Sequence, residues 1–401
     1  MKRLIFANLI LVFLLSSSQM SFAQTADEMN EQAMKLITEG KVNDAINKYK
    51  EILKQDSTYT KAYINLGFIY YSNGQSKTAI ALYQKALSLE PDNALAHNNL
   101  GVAYLASGNY NAAINEYKAA LKSQENYPEA HSNLAFALYS VGLSDLAIKE
   151  AKIAIQLNPK YARAYNNLGL AHHAKGMYKE AIADYKKALK LFPNMELALN
   201  NLGITYRVTG KIDSSIQMHQ KAASLDSLNT DSFNNLGLAY IAKGDIHSAI
   251  QSFERVLKIQ PANAVAHNNL AYSYYEILNY SMAMQHAKAA ERFGLKINPD
   301  FMKDLNKSLD PNYMRARYLV VKTEAEAQEI LNEIKNGGDF AQIAAAKSLD
   351  KVTAASGGDF GYFKKGDLMP EFEKVIASLK KGEVSGIIKS NIGFQIFQKT
   401  K

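Results

Sequence analysis

The stretch NNLGLAHHAKGMYKEAIADYKKALKLFP, residues 166–193, decides the fold of most of this chain. It opens on Asn167-Leu168-Gly169, turns at Gly176, continues through Ala181, Tyr185 and Ala188, and closes on Pro193. The same signature returns at intervals of 34 residues. Leu66-Gly67, Leu100-Gly101, Leu134-Ala135, Leu202-Gly203, Leu236-Gly237 and Leu270-Ala271 share its opening. Gly40, Gly74, Gly108, Gly142, Gly210 and Gly244 share its turn. Ala79, Ala113, Ala147 and Ala249 follow, then the aromatics Tyr83, Tyr117 and Phe253, then Ala86, Ala120, Ala154 and Ala222. Pro91, Pro159 and Pro261 close further units. Self-similarity at such a period marks a stacked-repeat architecture.

Each unit reads as a helix, a tight glycine turn and a second helix. Small residues let the two helices approach, and the tyrosines fill the space that remains. One pair cannot cover its own apolar face, so the units must stack. The pattern resembles the tetratricopeptide repeat over residues 25–297, with about eight units, the first degenerate around Leu36, Gly40, Ala45 and Tyr49. Residues 298–314 then read as linker and capping helix, the helix spanning Leu295 to Leu309 and Pro311-Asn312 following it.

An asparagine precedes each repeat leucine: Asn65, Asn99, Asn133, Asn167, Asn201, Asn235 and Asn269. At 100° per residue this column points away from the packed face of the first helix. Asparagine is a mediocre helix former, so propensity does not explain seven of them. Its amide can donate to a carbonyl and accept from an N–H of one extended peptide. A groove ladder that grips polypeptide backbone is one expectation; bridges among the asparagines themselves are the other. The neighbouring column of Val102, Phe136, Leu170, Ile204, Leu238 and Tyr272 is apolar. It suits either an incompletely folded client or packing against the next repeat.

All eight histidines lie between His97 and His286. His172 and His173 are adjacent and face different sides of a helix, so they cannot share a metal well. His97, His131 and His267 replace an aromatic at equivalent repeat positions, which makes them structural. No metal or other cofactor is called for.

From Ala316 to Lys401 the periodicity stops and four motifs appear: Gly357-Gly358-Asp359-Phe360-Gly361, Gly366-Asp367-Leu368-Met369-Pro370-Glu371-Phe372, Lys381-Gly382-Glu383-Val384-Ser385-Gly386, and Gly393-Phe394-Gln395-Ile396. Strands are expected at Tyr318–Val321, Phe360–Tyr362, Ile387-Ile388 and Phe394–Gln398. Helices are expected at Glu324–Asn336 behind an N-cap at Thr323, at Phe340–Ala346 and at Pro370–Leu379, with a loop through Lys347–Gly358. Strands at both ends with helices between imply an antiparallel α+β sheet. In order and spacing the motifs resemble parvulin-type (PpiC) peptidyl-prolyl isomerases, whose patterns are GGDLG, GxMVPEF, KGEVSGP and FGYHI. The fold expected of the whole chain is an all-α repeat solenoid followed by a small α+β parvulin-like domain at residues 315–401.

The resemblance implies rotation about an X–Pro bond, against a barrier of about 18–20 kcal/mol set by amide resonance. It places the proline pocket at Phe360, Leu368 and Phe372, with leucine where methionine is usual. It places the polar tetrad at Tyr318, Asp350, Ser390 and Gln395, with Lys351 a rival for Asp350. Tyr318 and Gln395 stand where the family has histidines. They can hydrogen-bond, but they cannot supply the same pair. A slowed isomerase and a domain that only binds proline-containing peptide are both compatible with these residues.

Lys2-Arg3, the apolar run Leu4–Leu15 and Ser21-Phe22-Ala23 read as a signal peptide over residues 1–23, with cleavage after Ala23. The run is too short for a membrane anchor. Cysteine is absent, which excludes disulfides, thiolate chemistry and a lipidated cysteine. Lysines are scattered along the helices and not interleaved with aromatics, so the net charge of +8 points to a solvated surface and not to nucleic acid. The expected protein is a soluble folding factor or chaperone of the bacterial periplasm. Its partners would be extended or partly folded polypeptides, proline-containing segments and proteins docked on the repeat groove. A non-catalytic scaffold is the alternative.

Overall fold

The structure is a computed structural model that describes residues 26–401. The leader expected at residues 1–23 lies outside the described residues. Internal contacts divide the chain into two compact units, with the division between Ser227 and Leu228.

The first unit is built of helix pairs: α1 (residues 26–38) and α2 (Val42–Gln55), α3 (Thr60–Ser72) and α4 (Ser76–Leu89), α5 (Ala94–Ala106) and α6 (Tyr110–Ser123), α7 (Pro128–Ser140) and α8 (Ser144–Leu157), α9 (Ala162–Ala174) and α10 (Tyr178–Leu191), α11 (Glu196–Val208) and α12 (Ile212–Leu225). Every pair turns on its glycine, for example Gly176 at φ +73°, a left-handed cap that favours glycine.

Glycine has a second duty inside the first helix. A Cβ built on Gly101 would lie 2.6 Å from the Tyr117 ring, and one on Gly169 would lie 2.6 Å from the Tyr185 ring. Gly67 with Tyr83 and Gly203 with His219 repeat the arrangement. Where the first position is Ala135, the position sixteen residues on is Ala151, and both are fully buried. Ring and missing side chain are therefore one packing unit, which settles how closely the two helices approach.

The second unit begins with two more pairs, α13 (Thr230–Lys243) with α14 (Ile246–Ile259) and α15 (Ala264–Glu276) with α16 (Tyr280–Arg292). The capping helix α17 (Pro299–Leu309) follows. It starts later than the expected Leu295 because Gly294, at φ +91°, ends α16 and Asn298 caps α17 through the Asp300 N–H at 2.8 Å. Phe301 and Leu305 then bury against Ala287 and Ala290.

The terminal sheet is fully antiparallel, in the order β2 (Asp359–Phe363), β1 (Met314–Val321), β4 (Gly393–Lys399), β3 (Ile388–Ser390). Helices α18 (Glu324–Lys335) and α19 (Phe340–Lys347) cover one face, where Ile330, Phe340 and Ile343 pack on Leu319, Val321 and Ile396. Thr323 and Glu326 form the capping box that starts α18. The stretch expected to be all loop contains a short helix, α20 (Lys351–Ala354), capped by Asp350. On the other face α21 (Pro370–Ser378) sets Phe372 and Ile376 against Ala316 and Phe397.

Candidate functional site

Strand alternation sends Tyr318, Gln395 and Phe397 to the face under α21, because Tyr318 pairs with Phe397 and Val320 with Gln395. Rings line this face. Tyr318 meets Phe360 edge-on at 5.6 Å between centroids and stacks on Phe397 at 5.9 Å. Phe372 lies 5.2 Å from Phe397, and Phe360 lies 5.5 Å from Phe363. Leu368 and Phe360 are only partly buried against this cluster, so apolar surface stays open beside it. Phe360, Leu368 and Phe372, expected to line a proline pocket, therefore belong to one apolar cluster.

Two local devices hold the pocket. Gly358, at φ +82°, passes so close to β1 that a Cβ would sit 2.2 Å from the Tyr318 carbonyl oxygen, and this carries Phe360 beside Tyr318. Glu373, in the first turn of α21, accepts from the Gly366 N–H at 2.7 Å and the Leu368 N–H at 2.9 Å, which fixes the loop bearing Leu368. Sequence reasoning had not singled out Glu373 or Phe397. An acid in a helix's first turn looks like an ordinary dipole partner, and Phe397 looks like an ordinary core position.

The polar tetrad resolves into two pairs. The Tyr318 hydroxyl donates to Asp350, which also accepts from Thr353 Oγ1 at 2.8 Å and from the Val352 N–H at 3.0 Å. Lys351, the rival, turns its Nζ to the Ser348 carbonyl at 2.8 Å. Hydrogen bonds from Tyr318 and Thr353 hold the Asp350 carboxyl below the usual carboxylate range. Burial, reinforced by the Asp350 carboxylate, pushes the Tyr318 phenol up to about 12. Near neutral pH the pair is thus a phenol donating to a carboxylate, with no proton to gain or lose.

The second pair is Gln395 and Ser390. Gln395 is buried, and its Nε2 donates to Ser390 Oγ at 2.9 Å, which in turn donates to the Gly393 carbonyl at 3.1 Å. Gln395 is a diagonal neighbour of Tyr318 on the same face. Its amide carries a second N–H. Exposed apolar side chains lie within two residues of site residues in sequence: Leu349, Val352, Met369 and Ile392.

The array's asparagines are engaged between repeats. In the first unit, Asn65 donates to Asn30 at 2.9 Å, Asn133 to Asn98 at 3.0 Å, and Asn201 to Asn166 at 3.0 Å. Asn167 donates to the Ser132 carbonyl at 2.9 Å and is 4% exposed. In the second unit, Asn269 donates to Asn234 at 2.8 Å. Each bond reaches 35 residues back, which explains the doubled asparagines: the first of a pair accepts from the next repeat. One donor of each of these five ties repeat to repeat, the bridging arrangement that stood beside the groove ladder as an expectation. Asn99 finds Ile64 at the accepting position, and Asn99 and Asn235 are half-buried. The apolar column is mostly half-buried: Val102 packs in the core around Tyr117 and Leu170 in that around Tyr185, while Leu238 packs around Phe253. Tyr272 stacks on Phe301 at 4.0 Å.

The histidines bond within the array. His97 and His131 each place Nδ1 on a glutamate, Glu116 at 2.6 Å and Glu150 at 2.7 Å, and Nε2 on a backbone carbonyl six residues back. Tyr165 reaches the equivalent carbonyl of Pro159 at 3.3 Å, so histidine replaces tyrosine in a conserved geometry of the repeat. His172 meets Asp184 and His173 meets Thr205, on different partners. Among the described residues no group of three or more potential ligands could hold a metal.

The PPIC-type PPIASE domain family matches residues 320–401. The TPR repeat family matches 36–74, 69–108, 103–142 and 237–277, with a further tetratricopeptide repeat match at 162–195. The chain is similar to Foldase protein PrsA of Geobacillus sp., 37% identical over 106 residues, or 26% of this chain and 38% of that protein. It is also similar to the Parvulin-like PPIase of Rickettsia bellii, 39% identical over 88 residues, or 21% and 31% of the two chains. It thus spans well under half the length of these curated relatives. Among solved structures, a tetratricopeptide repeat protein from Parabacteroides merdae superposes with a TM-score of 0.52 at 18% identity, covering 62% of this chain and 99% of that one. The APC/C hetero-tetramer Cut9-Hcn1 superposes at 0.56 and 19% identity, covering 70% and 55%. These likenesses bear on fold. The array is accordingly one of tetratricopeptide repeats, and the terminal sheet is a PPIC-type, parvulin-family peptidyl-prolyl isomerase domain.

Proposed function

We propose that the protein is an extracytoplasmic folding factor: the repeat array holds extended or partly folded polypeptide, and the terminal domain binds its proline-containing segments and catalyses X–Pro rotation slowly. The observation that carries this is the half-open aromatic face of Tyr318, Phe360, Phe372 and Phe397 with Leu368 at its edge. The foldase and isomerase names of its relatives support it. Two modest peptide sites on one chain raise overall affinity through effective concentration. Export is supported by the leader pattern at residues 1–23.

Chemically, a twisted amide loses resonance. Its nitrogen becomes a better acceptor, and its carbonyl oxygen loses negative charge. An apolar pocket that grips the proline ring favours that state over the planar one. The second N–H of Gln395 is a candidate donor to the nitrogen. Tyr318 serves by holding its ring against Phe360 and Phe397, since its proton is committed to Asp350.

A scaffold that binds proline segments without turning them over is the second reading. It is favoured by one observation: Tyr318 spends its only proton, and Gln395 one of its two amide protons, on a partner within the domain. Refolding of a substrate limited by X–Pro isomerisation, otherwise taking tens to hundreds of seconds, separates the two. The folding-factor proposal expects acceleration, and a further gain in the Tyr318→His/Gln395→His double variant. Retained proline-peptide binding with no acceleration at high protein concentration leaves the scaffold.

A further inference from the structure

The sheet has a second face, and beyond the cover of α18 and α19 it is charged. By strand alternation Arg315, Arg317, Gln398 and Thr400 project there, opposite to Tyr318 and Gln395. With Tyr275, Glu276 and Tyr280 of the last repeat they line a cleft of about 350 Å³, which Lys381 and Lys399 also border. Three cations, Arg315, Arg317 and Lys381, thus border it with two carboxylates, Glu276 and Asp359, since alternation turns the Lys399 side chain to the other face.

The carboxylate nearest the arginines is already engaged. Asp359 lies 2.5 Å from the Arg315 guanidinium and accepts from its Nε at 3.2 Å, while Arg315 also donates to the Tyr275 hydroxyl at 3.1 Å. Arg317 has no such arrangement. Its Nε–H is buried without a hydrogen-bond partner, and so is the hydroxyl of Thr400, another residue that borders the cleft. A buried N–H of a guanidinium that never loses its charge is costly to leave unmade. Two orphaned donors in one cleft of excess positive charge are complementary to a single planar or tetrahedral oxyanion.

We propose that this cleft is an oxyanion site, taking a carboxylate or phosphate group on Arg317 and Thr400, with Lys381 closing over it from its exposed loop. The site is separate from the proline pocket, lying on the other side of β1 and β4, and does not depend on isomerase activity. Because the last repeat supplies one wall and the sheet the other, an occupant would hold α15 and α16 against β1.

Calorimetric titration of the full chain tests this with two probes, inorganic phosphate and an acetylated, amidated Glu-Glu dipeptide. The expected result is saturable one-site binding of at least one probe, weakened about tenfold or more by Arg317→Gln and by Lys381→Gln, as for loss of a charge-assisted contact. Proline-peptide binding should stay unchanged in both variants. Tighter binding of phosphate identifies a free anion as the occupant, and tighter binding of the dipeptide identifies acidic polypeptide. Should circular dichroism show Arg317→Gln unfolded, Lys381→Gln decides, since Lys381 is exposed. No saturable binding of either probe, or equal binding by the folded variants, overturns the proposal.

Discussion

The repeat array and the terminal sheet both bury aromatic rings, but they make room for them in opposite ways. In the array a ring fills the space where a side chain is missing: Tyr117 lies on Gly101 and Tyr185 on Gly169, with no gap left. On the sheet, ring meets ring at 5.2–5.9 Å, and the outermost, Phe360, keeps part of its surface uncovered beside Leu368. A ring matched to glycine is enclosed by the core around it, and it serves stability. A ring matched to other rings on an open sheet face can accept one more apolar group, and it serves binding.

The largest expected effect tests the closed half of this comparison. Tyr117→Ala should cost the array about 3–5 kcal/mol, the usual range for deleting a buried large ring. Gly101→Ala should also destabilise, because its Cβ would meet Tyr117 at 2.6 Å, even though alanine is the better helix former by about 1 kcal/mol. In the Gly101→Ala/Tyr117→Ala double variant the clash is gone and that gain returns, so the double variant should be more stable than Tyr117→Ala alone. The natural pair Ala135 and Ala151 already has this composition. Urea denaturation of the four proteins measures the coupling. Additive losses would show that glycine and ring are not one packing unit.

An intermediate effect tests the open half. Tyr318→Phe keeps the ring and removes the bond to Asp350, whose other acceptances from Thr353 and Val352 remain. Loss of one such bond to an ionised group is worth about 1.5–3 kcal/mol, so any isomerase rate should fall about ten- to 150-fold while proline-peptide affinity holds. The wild-type rate should be flat across pH 5.5–9. Tyr318 stays protonated below about 12, and Asp350, held below its ordinary value, stays ionised. Its stabilising contribution is fully present above the unfolded carboxylate range and is lost only as pH falls through the lower folded value. Gln395→His should introduce a bend near pH 6–7, where a histidine titrates. A bend in the wild-type profile would mean that another group carries the chemistry.

How much of this was legible in the sequence depends on whether a residue's partner repeats with it. The helix pairs, their turns and the antiparallel character of the sheet follow from periodicity and motif spacing, and they appear as read. The glycine–ring match is also in the sequence, as Gly101 with Tyr117 against Ala135 with Ala151. It links positions sixteen apart on two helices, though, and only an antiparallel pair brings them together. Helix α20 escaped because four residues cannot show a helical period. The site's polar pairs were named by resemblance, but their partition into Tyr318–Asp350 and Gln395–Ser390 depends on a loop path that spacing leaves open. A site at Arg317 was not legible, since its meaning comes from the face its strand turns outward and from Asp359 being engaged by Arg315.

The smallest expected effect separates the asparagines themselves. Asn133 donates to Asn98 across the repeat boundary, whereas Asn99 has Ile64 at the equivalent position. Asn133→Ala should therefore lower stability by about 1 kcal/mol, the worth of one hydrogen bond between a half-buried and a buried amide. Asn99→Ala should leave stability within about 0.5 kcal/mol of the parent, as for a surface substitution. Binding of an unfolded client should respond the other way, weakened more by Asn99→Ala than by Asn133→Ala, because Asn99 keeps both amide donors for a ligand and Asn133 has committed one. Equal stability losses would mean that the column acts as a tie throughout, and unchanged client binding in Asn99→Ala would remove it from the groove.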